Sequence, residues 1–118
     1  MSEMNEIPAA VDDSVREFLR TRSKALFGNR DRLEVAAAIA SASSGAVNAA
    51  ELAYALELPN NRIRAQLRGL AEAGLLDVMP RDGSGRVWFI RVDHMFWSAC
   101  IELRAQWERE HERSQRFG

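Results

Sequence analysis

The chain is poor in the residues that would place it in several functional classes. It holds one cysteine, Cys100, so no internal disulfide can form and no thiolate pair can hold zinc, which points to a reducing compartment. No apolar run approaches the roughly 18 residues needed to span a bilayer. The start, Met-Ser-Glu-Met-Asn-Glu, is acidic and lacks the basic start and apolar core of a secretion signal, so a cytoplasmic, nucleoid-associated protein is expected. Lysine is nearly absent too: of the 16 Lys and Arg residues only Lys24 is lysine. No serine, cysteine or glycine-rich loop has the partners that nucleophilic or phosphate chemistry needs, and Glu102, Glu108 and His111 lie on a charged helix end. The expectation is a non-enzyme without cofactor or metal.

What is present fits one folded domain: 118 residues, 47% hydrophobic and 28% charged. The formal net charge of -1 hides an uneven distribution. Between Asn60 and Val92 six arginines (Arg62, Arg64, Arg68, Arg81, Arg86 and Arg91) face Glu72, Asp77 and Asp82, a local charge of +3 on an otherwise acidic chain. Such a patch lets one face meet phosphates while the rest repels them.

Residues 1–10 show no periodicity and read as a disordered arm. The domain spans 11–113, and 114–118 form a flexible tail. Asp12 and Asp13 start a first helix, with Val15, Phe18, Leu19, Arg22 and Leu26 recurring at three and four until Gly28. Asp31 caps a second helix with a small-residue face, broken at Ser43-Ser44-Gly45. Asn48 caps a short third helix closed by Pro59, and Asn60 caps a fourth, which runs to Gly74. The tight Leu58-Pro59-Asn60 turn joins them as a helix-turn-helix. Leu75–Met79 and Val87–Val92 then read as strands around Arg81-Asp82-Gly83-Ser84-Gly85, a hairpin wing. From Asp93 the chain returns to helix, with Phe96, Cys100, Leu103 and Trp107 on one stripe widened by Trp97 and Ile101. The fold class is mainly α with a small β-hairpin wing, in the order α-α-α-α-β-β-α.

On a helical wheel Ile63, Leu67 and Leu70 point inward, while Asn61, Arg62, Ala65, Arg68 and Gly69 lie opposite, with Arg64 at the side. That outward face suits the DNA major groove: Asn60, Asn61, Arg62 and Arg64 are candidate base readers, and Ala65 and Gly69 leave room for close approach. Arg68 and Arg81 suit phosphates, Arg86 a narrow minor groove, and Ser84 sits with them at the wing. One recognition helix is too small to be selective, so a homodimer on an inverted repeat of double-stranded DNA is expected. Val15 and Phe18 of the first helix, with Phe96, Trp97, Cys100, Leu103 and Trp107 of the last, are the expected dimer face, completing the core as well. The rival reading is a winged helix used for protein contacts within a larger assembly.

Glu51-Leu52-Ala53, Leu56, Leu58, Ile63, Leu67, Leu70, Glu72-Ala73-Gly74-Leu75 and the Gly83–Val92 wing together resemble the winged-helix transcriptional regulators of the ArsR and MarR type. The stretch Ala25–Leu33 is similar to the ArsR lead into its second helix. The resemblance implies DNA binding by the fourth helix and wing, with the outer helices forming a homodimer. It does not extend to metal sensing. Val47-Asn48-Ala49-Ala50 stands where metal-responsive members carry a cysteine pair, and Asp93, His94, His111 and Glu112 do not follow the spacing of the family's other metal site. No effector is named by these residues.

Overall fold

The computed structural model describes residues 5–117, with side chains through His111. Eight elements follow in order: α1 (Asp13–Phe27), α2 (Arg32–Ser41), β1 (Ala46–Val47), α3 (Ala49–Leu56), α4 (Asn60–Glu72), β2 (Leu76–Val78), β3 (Phe89–Arg91) and α5 (Met95–Phe117). The mainly helical fold class with a hairpin wing stands. The sheet has one strand more than the sequence pattern reveals: β1 pairs antiparallel with β3, which also pairs with β2, giving the order β1-β3-β2. A two-residue strand is too short to carry an alternation of its own, so it is specified by its partner.

The centre of the molecule is α2. Every residue from Leu33 to Ile39 is buried, because small alanines allow close packing on all sides and α5, α1, α3 and α4 all pack against it. Leu19, Val47, Leu52, Ile63, Leu67, Leu70 and Leu76 complete the core. A fully buried side chain of this kind stabilises the fold by about 1.5–3 kcal/mol. One charged residue lies among them. Glu34 is buried and accepts a forked bond from Arg16 at 2.8–3.1 Å, and Arg16 Nη2 also donates to the Leu56 carbonyl at 2.6 Å. One guanidinium thus ties α1, α2 and α3 together. The bond to Glu34 raises the Arg16 pKa further, so the guanidinium keeps its charge.

Local chemistry explains the helix ends. Asp12 caps α1, its carboxylate accepting the Val15 amide at 3.0 Å, and Gly28 closes that helix at φ 71°. Asn48 and Glu51 form a reciprocal capping box on α3. Two caps differ from expectation. Asp31 makes no side-chain cap on α2; Asn29 Oδ1 accepts the Asp31 and Arg32 amides at 2.9 and 3.1 Å instead, freeing Asp31 for a tertiary partner. Asn60 is the first residue inside α4, with Pro59 at the cap position and no side-chain cap bond. Proline lacks the side-chain acceptor, but its fixed φ suits a helix start.

The expected arm over 1–10 falls partly outside the described residues. Its described part, 5–10, has no helix or strand but is hydrogen-bonded to the domain. Asn5 donates to the Ala46 carbonyl at 2.7 Å and to Glu51 at 2.9 Å, and Glu6 exchanges bonds with Ser43. At the other end, α5 is helical through Phe117, and Gly118 of the expected tail lies outside the described residues.

The last-helix stripe divides. Trp97 and Cys100, of the stripe expected both to complete the core and to form a dimer face, are 7% and 1% exposed and belong to the core, because their side of α5 lies against α2. Trp97 Nε1 donates to the Val92 carbonyl at 2.9 Å. Burial pushes the Cys100 thiol up to about 11, which makes it an inert core residue. Val15, Phe18, Phe96 and Leu103 are half-buried against that core, and Trp107 meets Phe18 edge-on at 5.5 Å.

Candidate nucleic-acid interface

The exposed face of α4 is set by what the opposite face must bury. Ile63, Gln66, Leu67 and Leu70 are buried, which leaves Asn60, Asn61, Arg64, Ala65 and Arg68 exposed. The turn that aims α4 runs through Glu57, whose φ of 54° is the left-handed region a non-glycine residue enters only at a cost. Leu58, 6% exposed, anchors that turn in the core, and its amide donates to the Ala53 carbonyl at 3.2 Å. Without a capping side chain, the N-terminus of α4 presents its positive dipole end outward, next to Asn60 and Asn61. The far end closes on Gly74, φ 81°, with Leu75 and Gly74 amides bonding back to Leu70 and Ala71.

The wing is built around Asp82. One carboxylate oxygen accepts from the Ser84 hydroxyl at 2.5 Å, the Ser84 amide at 2.8 Å and the Arg86 amide at 3.0 Å. The other accepts from Trp88 Nε1 at 2.8 Å. The Ser84 hydroxyl and then the Trp88 indole hold this carboxyl well below the usual carboxylate range. Arg81 Nη1 donates to the Gly85 carbonyl at 2.7 Å, closing the loop from its other side. The Asp-Gly-Ser-Gly sequence signals a turn, but not that the Asp82 carboxylate gathers Ser84, Arg86 and Trp88 around it.

Between α4, the N-terminus of α3 and the wing lies an open groove of about 710 Å³, lined by Asn48, Arg64, Arg68, Arg81 and Arg86 over a floor that includes Val78 and Phe89. The guanidinium groups of Arg64, Arg68 and Arg86 make no hydrogen bond or ion pair among the described residues.

The expected basic residues do not all converge there. Arg62 is half-buried and turned toward α2, where Nε and Nη2 donate to Asp31 at 3.0 and 2.5 Å. That bond lowers the Asp31 pKa and raises that of Arg62. Arg91 is structural: its Nη1 donates to the carbonyls of Ile39, Ala40 and Ala42 at 2.6–2.9 Å, satisfying the end of α2. Gly69, read as room for DNA, is filled instead by the Arg32 guanidinium, whose Nε donates to Gln66 Oε1 at 2.7 Å. Sequence reasoning missed Arg32 because nothing local marks it: it lies on another helix, 34 residues from Gln66.

Among the described residues, no three His, Cys, Asp or Glu side chains form a metal cluster, and no helix is long and apolar enough to cross a membrane. His94 Nδ1 accepts the Phe96 amide at 2.9 Å at the start of α5, and His111 stacks on Trp107 at 4.9 Å.

Residues 27–78 match a family model described as a helix-turn-helix domain, the segment that carries α2, α3 and α4. The chain holds a winged helix-turn-helix domain. The winged domain is similar in fold to the crystal structure of MepR, a transcription regulator of the Staphylococcus aureus multidrug efflux pump MepA. The TM-score is 0.61 at 12% identity, over 86% of this chain and 73% of that one. At that identity the likeness is one of fold. No curated protein matches the chain. The helix-turn-helix read from Leu52 to Leu70 lies within the matched segment, and the MepR likeness agrees with the winged fold.

Proposed function

We propose that this winged helix-turn-helix chain is a sequence-specific regulator of transcription that binds double-stranded DNA. One observation carries the reading: three guanidinium groups, those of Arg64, Arg68 and Arg86, stand unpartnered around the groove between recognition helix and wing. Charged side chains left without protein partners on one concave face suit a polyanion. The fold likeness to MepR, itself a transcription regulator, supports the same reading.

In this reading α4 enters the major groove by its uncapped N-terminus. Asn60, Asn61 and Arg64 read bases, through the bidentate pairings that asparagine makes with adenine and arginine with guanine. Arg68 holds a phosphate. The wing, kept rigid by Asp82 and Ser84, presents Arg86 to the adjacent minor groove and Arg81 to the backbone. Arg62 shapes the base of α4 while it remains on Asp31. A homodimer formed through α1 and α5 brings two α4 helices to an inverted repeat. Its contact surface draws on Val15, Phe18, Phe96, Leu103 and Trp107, with exposed Leu26 and Ile101 beside them.

The test is a salt titration of binding to duplexes recovered from genomic fragments that co-purify with the protein. Affinity should fall steeply as salt rises, and the combined Arg64→Ala, Arg68→Ala and Arg86→Ala substitutions should remove most of that dependence. Failure of the unmodified protein to bind any duplex at low salt would leave the protein-contact reading in its place.

A further inference from the structure

We infer that the DNA-facing surface extends beyond α4 onto the start of α2, where Arg32 supplies a phosphate contact on the flank opposite the wing; this rests on the DNA-binding reading above. The observation is the position of one guanidinium. Gly69 falls on the outward half of α4, at nearly the same azimuth as Arg62. A Cβ built on Gly69 would collide with Arg32 Nη2 and lie 3.2 Å from Arg32 Cζ. The side chain of residue 69 is therefore replaced, in space, by an arginine from another helix. Buried Gln66 fixes it through Nε at 2.7 Å. The remaining four N–H donors, on Nη1 and Nη2, have no hydrogen-bond partner among the described residues.

The consequence is geometric. Arg64 and Arg68 lie on the flank of α4 that meets the wing groove, and Arg32 lies on the other flank. A helix with its side chains is about 10–12 Å across, close to the roughly 12 Å width of a major groove, so groups on opposite flanks of α4 can address opposite strands. Arg32 thus faces the second strand, a position where α4 itself carries only a glycine. Gly69 is needed because any side chain there would displace the guanidinium, and Gln66 because it orients it.

Phosphate contacts are independent of sequence, so the test uses a fluorescein-labelled duplex of arbitrary sequence and fluorescence anisotropy across a salt series. Arg32→Gln should lower the log-log salt slope by about 0.9 and weaken binding about tenfold near 50 mM salt, the effect of one phosphate contact. Gly69→Ala should produce a similar loss with a melting temperature equal to or above that of the unmodified protein, since alanine favours helix and only the flexible end of Arg32 must move. Combining the two should add no further loss. If Arg64→Ala weakens binding while Arg32→Gln and Gly69→Ala keep the full slope, the Arg32 contact is wrong and the DNA-binding reading stands. An affinity loss in Arg32→Gln with an unchanged slope and a lowered melting temperature would mean a structural role only and overturn it equally. If the unmodified protein binds no duplex, both inferences fall together.

Discussion

Arg62 and Asp31 meet side by side, Nε to Oδ2 at 3.0 Å and Nη2 to Oδ1 at 2.5 Å, so that the start of α4 is held to the start of α2. The pair is partly exposed, 37% for the arginine and 16% for the aspartate, so solvent screens much of its attraction. Asp31→Asn removes the carboxylate without removing the volume. Urea denaturation at neutral pH should show a loss of about 1 kcal/mol. The pH dependence follows from the lowered Asp31 pKa: the contribution is complete above the ordinary carboxylate range and disappears as pH falls through the lower folded value. The variant should therefore converge on the unmodified protein in acid.

Arg91 is expected to matter for folding alone. Its Nη1 serves carbonyls of Ile39, Ala40 and Ala42 at the end of α2. Arg91→Met keeps an unbranched stem but removes the guanidinium donor; the Ile39 and Ala42 carbonyls keep the amides of Ala42 and Gly45, so the cost, about 1–3 kcal/mol, falls mainly on the Ala40 carbonyl. Denaturation should register that loss, while the salt slope of DNA binding should remain that of the unmodified protein.

Asp82 should affect the wing without affecting the core. Asp82→Ala removes the acceptor for Ser84, Arg86 and Trp88, so amide exchange at Ser84 and Arg86 should quicken while the core amides of α2 stay protected. DNA affinity should drop several-fold as Arg86 loses its fixed position. In the unmodified protein the wing stays ordered through mildly acidic conditions. Because the folded carboxyl is depressed, the wing's stabilisation is present above the ordinary range and is lost only as pH falls well below it.

Cys100 offers a measure of global opening. With its thiol buried and pushed up to about 11, it should resist iodoacetamide at pH 8 in the native protein and react at the ordinary rate in denaturant. Rapid labelling under native conditions would show that α5 separates from α2 far more readily than the packing implies.

The sequence by itself determined whatever depends on neighbours along the chain. Asp12, Asn48, Gly28 and Gly74 mark helix ends because caps act within one turn, and the apolar spacing of Ile63, Leu67 and Leu70 orients α4 because a helix has a fixed period. The Asp-Gly and Ser-Gly steps gave the wing for the same reason. Tertiary structure alone decided how the long side chains are shared. Arginine reaches far enough to bond across elements, so a sequence cannot distinguish Arg64 and Arg68, left to solvent, from Arg62 on Asp31 or Arg91 on the end of α2. Helix packing decided likewise that Trp97 and Cys100 serve the core half of a stripe expected to complete the core and form a dimer face, and that Arg32 lies against Gly69, because those outcomes depend on which helices pack against which.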